Sequence, residues 1–271
     1  MDAAPTPHGA NPVAAAARQR WPRPVGAFIL DTVIAATTLL VVGLLSVFAW
    51  GLFDAIINTP GAPRGPQPAA APSMPGLLVQ LWIGIGAMAA AAIVTYYWQG
   101  PAGAVERRGS LNAMRQRSSW FTAIGTGLAV FFLSAAIAWS GRLLGVEPAP
   151  TNLAYLEVLA GRPVMVLLVV GLLAPAYEEL LFRRVLFGRL WRAGRPVLGL
   201  VLSSAVFAFV HEVPGVSDNT WPALAMLLLV YGGMGAAFAW VYWRTGTLWA
   251  PIAAHATNNL LAASVLLTGA A

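Results

Sequence analysis

The sequence predicts an all-α fold: a polytopic membrane helix bundle of about seven transmembrane helices, with its reactive residues among the C-terminal four. Three observations carry this. Of 271 residues, 58% are hydrophobic and the mean hydropathy is +0.71, well above the balance of a soluble domain. Apolar runs of roughly 18 or more residues recur, each long enough to cross about 30 Å of hydrocarbon as a helix. The arginines, finally, gather in alternate loops between those runs, as the positive-inside rule requires of a chain that crosses repeatedly.

Residues 1–17 are rich in Ala and Pro and read as a disordered tail. Arg18, Arg20 and Arg23 precede the first span, Val25 to Trp50, which is too long for a removable signal peptide. Prolines 60, 63, 66, 68, 72 and 75 make residues 58–75 an extended loop outside the bilayer, since proline neither donates to a helix nor pairs in a sheet. The second span runs from Gly76 to Trp98 and ends on interfacial aromatics; the third runs from Trp120 to Trp139. With its flanking loops, 18–162 is an N-terminal unit of three helices.

The unit 163–271 holds four more helices. Pro163 suits the first turn of the fourth, where a missing N–H costs nothing. That helix carries Glu178 and Glu179, with Pro175 three residues before them as a source of local distortion. It must continue past Arg184 toward Trp191 if Glu178 is to reach the depth of His211. The remaining helices are Pro196 to His211, Trp221 to Trp243 and Thr247 to Leu267. Gly232, Gly233 and Gly235 in the sixth are read as a surface for close helix packing. The arginine distribution puts the N-terminus in the cytoplasm and the C-terminus outside. A chain rich in Ala and Gly whose sixteen basic residues are all Arg has a high-GC bacterial composition, so the expected location is a bacterial plasma membrane.

Composition narrows the chemistry. With no cysteine there are no disulfides, thiolate nucleophiles or Cys-ligated metals, and without lysine there is no Schiff base. The net charge of +6 belongs to membrane loops rather than to nucleic-acid binding. Ionisable groups at membrane depth are costly and mark function by default, and they concentrate in three C-terminal helices. Glu179 and Arg183 are four apart, the favourable order for an ion pair on one helix face, which leaves Glu178 as the freer carboxylate, suited to a general base. Phe207 packs one turn from His211. His255 and Asn259 project together, able either to donate two hydrogen bonds to an oxyanion or to divide metal ligation from substrate orientation. Ser203 and Ser204 lie about two turns from His211, too far for a serine–histidine dyad. Asp31 is read as structural, capping a polar contact or lying at the interface near Arg23, and Arg184 as snorkelling to phosphate headgroups.

Glu-Glu-x-x-x-Arg, Phe-x-x-x-His and His-x-x-x-Asn, in that order on successive helices from Pro163 to Leu267, resemble the CPBP intramembrane protease family, which includes the type II CAAX prenyl endopeptidases and Abi-type proteins. The resemblance implies peptide-bond hydrolysis by an activated water within the membrane. Glu178 would be the general base and His211 its partner in holding the water; His255 and Asn259 would stabilise the oxyanion, and Glu179 with Arg183 would support the site. Glu178, His211 and His255 are the candidate ligands if zinc is bound, and a metal-free glutamate mechanism is equally compatible. The His-Glu-x-x-His helix of soluble zinc proteases is absent, because Glu212 follows His211 but position 215 is Gly215. The implied partners are a membrane-embedded or membrane-associated protein or peptide substrate and the bilayer. A proton- or ion-coupled transporter and a non-catalytic immunity or scaffold protein are the rival readings.

Overall fold

The computed structural model describes residues 23–58 and 74–268; the tail 1–17 and the prolines at 60–72 lie outside the described residues. All described regular elements are helical. They are α1 (Arg23–Asn58), α2 (Leu77–Gln99), α3 (Ala104–Met114), α4 (Arg117–Leu143), α5 (Leu153–Val158), α6 (Pro163–Arg192), α7 (Pro196–His211), α8 (Trp221–Thr245) and α9 (Trp249–Leu267).

Five of these, α1, α2, α4, α6 and α8, are long and apolar enough to cross a membrane. The two remaining spans expected from the sequence form shorter or more polar helices. With 16 residues, α7 rises only about 24 Å, and α9 carries His255, Thr257, Asn258 and Asn259 within 19 residues. Both pack inside the bundle all the same. Burial ranks the helices: 44% of the apolar window of α8 is buried against 6% for α1, so α8 is the central post and α1 a peripheral one whose Leu30, Val33, Leu40 and Leu44 face outward. An uninterrupted row of exposed apolar side chains is stable only against lipid.

The main core lies where α6, α7, α8 and α9 meet, built on Phe182, Val185, Leu186, Phe207, Tyr231, Phe238 and Ala254. Two close backbone approaches set it. A Cβ at Gly127 of α4 would stand 2.5 Å from the Ala254 carbonyl oxygen, so only glycine lets α4 reach α9 one residue before His255. In α8, Gly235 does the same against Ser204 of α7, with 2.8 Å to its Cα. The reading of all three α8 glycines as packing residues is corrected here: a Cβ at Gly232 or Gly233 would meet nothing within 4 Å. Gly233 instead lines an apolar groove of about 280 Å³ between α4 and α8.

Helix α6 departs most from regularity. It is π-helical over Val166–Leu173 and again over Leu180–Phe187, with an α-helical segment, Ala174–Glu179, between. Pro175 has no N–H to donate, and its ring crowds the carbonyl one turn earlier. The chain ahead of it relaxes into wider i→i+5 bonding, as from Ala174 N–H to the Val169 carbonyl. Runs of π-helix are rare and concentrate at functional sites. Here they bracket the two glutamates.

Polar ties at one end of the bundle correct the expectation for Arg184 and give Asp31 its partners. Arg184 does not snorkel to headgroups: it is buried, its Nε is 2.8 Å from Glu106 Oε1 of α3, and its guanidinium lies over the Tyr96 ring. Asp31 is structural as expected and is buried: Arg189 donates to it from Nε at 2.7 Å and Nη2 at 2.9 Å, and it also accepts from Gln99 at 2.6 Å. Together these bonds tie α1, α2 and α3 to the C-terminal half of α6. The third span, extended to Arg117–Leu143, is preceded by α3 in what the sequence suggested was a simple loop.

Candidate active site

Three helices place their reactive groups at one point. Glu178, at the end of the short α-helical segment of α6, presents Oε2 at 3.6 Å from His211 Nε2 and 3.9 Å from His255 Nε2. This oxygen is buried and accepts no hydrogen bond from the described residues. A carboxylate left so in an apolar bundle is costly, which makes it the centre of the candidate site.

The hydrogen bonds on the far sides of the imidazoles fix which nitrogen faces Glu178. His211 Nδ1 is 2.8 Å from the Phe207 carbonyl, which only accepts, so Nδ1 carries the proton. In the neutral ring Nε2 is then left with its lone pair. His255 Nδ1 is 2.9 Å from Glu179 Oε1 and donates to that carboxylate in the same way. Both rings therefore turn Nε2 inward, and each is held by an outer partner.

Glu179 and Arg183 form the layer behind His255. Both are fully buried, with Nε at 2.8 Å from Oε2, and Nη2 donates to Oε1 at 3.1 Å. The Arg183 guanidinium also sits over Phe207 at 4.8 Å, Phe238 at 5.6 Å and Phe182 at 5.8 Å. One carboxylate and three aromatic faces thus replace the water such a cation would otherwise hold. Aromatic rings also hold the histidines: Phe238 stacks on His255 at 4.8 Å and 24°, while Tyr231 stacks on His211 at 4.6 Å and 26° and Phe207 lies 4.3 Å from the same imidazole.

Asn259 is placed differently. Its amide donates to the Val170 carbonyl in the first π-helical run at 3.4 Å, and its oxygen accepts from Asn258 at 3.1 Å. It shares the His255 face by spacing and links α9 to α6, while the close contacts to Glu178 come from the two imidazoles. Ser203 and Ser204 donate their hydroxyls to the Leu200 carbonyl, which occupies them within α7.

Three residues were missed from the sequence. Tyr231 and Phe238 are seven apart in α8 and therefore on one face, a signal obscured by attention to the glycines between them. Glu212 is fully buried immediately after His211; it accepts from Thr151 N at 2.8 Å, Thr151 Oγ1 at 2.9 Å and Ser217 Oγ at 2.9 Å. It pins the loops on either side to the end of α7, where His211 occupies the last turn. No local pattern announces a tie to residue 151.

Two imidazole Nε2 atoms and a carboxylate are the donor chemistry of a catalytic zinc site, with Glu179 as an outer carboxylate on one histidine. Among the described residues no group of three His, Asp or Glu side chains already stands at the distances that hold a metal ion. The arrangement as it stands is suited to water, with two inward acceptors, Glu178 Oε2 and His211 Nε2, in reach of one molecule.

Residues 160–261 match the family model of type II CAAX prenyl endopeptidase Rce1-like proteins. Over 116 residues the chain is 34% identical to YdiL of Bacillus subtilis (strain 168), provisionally named a membrane peptidase; the match covers 43% of this chain and 42% of that protein. Over 124 residues it is 28% identical to the membrane-embedded CAAX protease MroQ of Staphylococcus aureus (strain USA300), covering 44% and 46%. The chain thus spans less than half the length of these two relatives. No solved structure matches it.

Proposed function

We propose that the protein is an intramembrane endopeptidase that hydrolyses a peptide bond of a membrane-embedded or membrane-associated protein, a reading supported by the match of residues 160–261 to the Rce1-like family model and by the likeness to the two bacterial relatives. The observation that carries this is the convergence of Glu178 Oε2 with two inward-facing imidazole Nε2 atoms inside an apolar bundle. The arginine-rich end of the bundle, with the N-terminus, faces the cytoplasm in this reading.

The chemistry follows from the hydrogen bonds. A water donates one proton toward Glu178 Oε2 and the other toward His211 Nε2, which turns its oxygen lone pair to the scissile carbonyl carbon. As the C–O bond forms, Glu178 takes a proton and the carbonyl oxygen becomes an oxyanion. His255 donates to it from Nε2 as the imidazolium, with its ring held at Nδ1 by Glu179, as an acid behind a histidine orients it in hydrolytic triads. Asn259, one turn further along α9, supplies a second donor once its amide leaves Val170. Glu178 then passes its proton to the leaving nitrogen, the C–N bond breaks, and the new carboxylic acid gives up water's second proton to the amine, so that a carboxylate and an ammonium are released. Arg183 balances the charge of Glu179 and holds it in register; in this account Glu179 and Arg183 are positioning residues.

The test is cleavage of a membrane-anchored reporter by the full chain in proteoliposomes. Glu178→Gln, His211→Ala and His255→Ala each abolish cleavage while the protein remains inserted, and full activity of the Glu178 variant would sink the proposal. Solute uptake driven by a pH gradient and lost with Glu178 would support a transporter instead. A phenotype preserved in the triple variant would support a scaffold. The donor set also motivates a zinc-dependent reading, which predicts stoichiometric zinc in the purified protein and loss of cleavage on chelation.

A further inference from the structure

We infer that the pocket framed by Arg23, Arg189 and Arg192 is a binding site for a phosphate anion, supplied by the headgroup of an anionic lipid. The pocket has a volume of about 200 Å³ and is lined by Arg23, Pro24 and Ala27 of α1 with Arg189, Arg192 and Ala193 at the end of α6. Taking roughly 30 Å³ per water, that is space for about six waters, or a phosphate group with part of its solvation shell.

Charge and preorganisation point the same way. Three guanidiniums surround the pocket, and the acidic group tied to it is Asp31, so two positive charges remain in surplus. Arg189 spends Nε and Nη2 on Asp31, and Arg192 spends Nη2 on Gln99 Oε1 at 2.8 Å and Nη1 on the Arg184 carbonyl at 3.3 Å. Each guanidinium has five N–H donors, so both keep others for an anion while being held in place. Arg23 makes no ion pair among the described residues.

Depth selects the source. Arg23 stands just before the apolar run that begins at Val25, and Arg192 is the last residue of another apolar span. The pocket therefore lies where hydrocarbon gives way to headgroups, and lipid phosphodiesters are the anions concentrated at that level. A headgroup bound there bridges α1 to the end of the helix that carries Glu178, alongside the Asp31–Arg189 pair.

Native mass spectrometry of the full chain, released from micelles containing equimolar phosphatidylglycerol and phosphatidylcholine of the same acyl chains, tests this. The wild type retains phosphatidylglycerol preferentially. The preference falls about fivefold for each arginine removed in Arg23→Gln and Arg23→Gln/Arg192→Gln. The control Arg115→Gln/Arg117→Gln, at exposed arginines between α3 and α4, leaves it unchanged. Arg23→Gln breaks no bond among the described residues, so the single variant stands if the double one fails to fold. An unchanged preference in Arg23→Gln, or an equal loss in the control, would overturn the site. In phosphatidylcholine nanodiscs, inorganic phosphate that stabilises the wild type as much as phosphatidylglycerol does would overturn the lipid assignment in favour of free phosphate. Lipid retention is read without any cleavage assay, so this outcome is independent of the proposed peptidase activity.

Discussion

The adjacent glutamates provide the sharpest test, because isosteric substitutions at neighbouring positions should fail in different ways. Glu179→Gln removes the charge facing Arg183, a guanidinium with no exposure, and weakens the acceptor for His255 Nδ1. Stranding one member of a buried ion pair costs about 3–5 kcal/mol, a large part of a typical total stability of about 5–15 kcal/mol. Glu178→Gln has no such consequence. Its side chain is 14% exposed, its contacts at 3.6 and 3.9 Å are to histidines, and Oε2 is already without a hydrogen-bond partner. Its stability cost should stay within about 1 kcal/mol, while loss of a general base slows hydrolysis about 10²- to 10⁴-fold. Unfolding in mixed micelles of rising SDS fraction, run beside reporter cleavage on the same preparations, separates the two. The double variant Glu179→Met/Arg183→Met should recover most of the lost stability, since an apolar replacement for a buried pair is often neutral, yet it should not recover cleavage. Equal destabilisation by the two single variants, or normal turnover in Glu178→Gln, would refute the division of roles.

Other tests reach different parts of the structure. Gly127→Val should destabilise the bundle by about 1–3 kcal/mol, because its Cβ meets the Ala254 carbonyl oxygen at 2.5 Å and must displace α9; wild-type stability would show that α4 does not approach α9 so closely. Glu212→Leu leaves the Thr151 and Ser217 donors without their acceptor, for an expected loss of about 1–3 kcal/mol and lower turnover through a displaced His211, whereas Glu212→Gln should retain part of both. For the Asp31–Arg189 pair the two single variants should differ. Arg189→Gln strands an acid that is 1% exposed, while Asp31→Asn releases an arginine that is 30% exposed and can reach water, so the first should cost more in the same unfolding assay.

How much was legible in advance varies with the range of the interaction. The Glu179–Arg183 pair needs only one turn of one helix, so four-residue spacing was enough to foresee it. Arg184 sits beside Arg183 yet was misread, because its partner Glu106 is 78 residues away on a helix that looked like a loop. Asp31 was legible as structural but not its partner, because Arg189 is 158 residues distant. The α8 glycines misled because a small residue permits close approach without requiring it, and only Gly235 faces a helix that takes up the space.

The sequence alone determined that the chain is a helical membrane protein with its ionisable groups on three C-terminal helices. Hydropathy, proline placement and helical periodicity are properties of contiguous residues and survive without a fold. The tertiary structure decided which groups meet. It turned both imidazole Nε2 atoms toward Glu178 by engaging their Nδ1 atoms elsewhere, surrounded Arg183 with aromatic rings from three helices, and bound α1, α2 and α3 to α6 through buried charges. Those outcomes depend on packing distances of a few ångströms between helices far apart in the chain, and in a medium of low dielectric it is those distances that fix whether a buried charge is balanced or left ready to react.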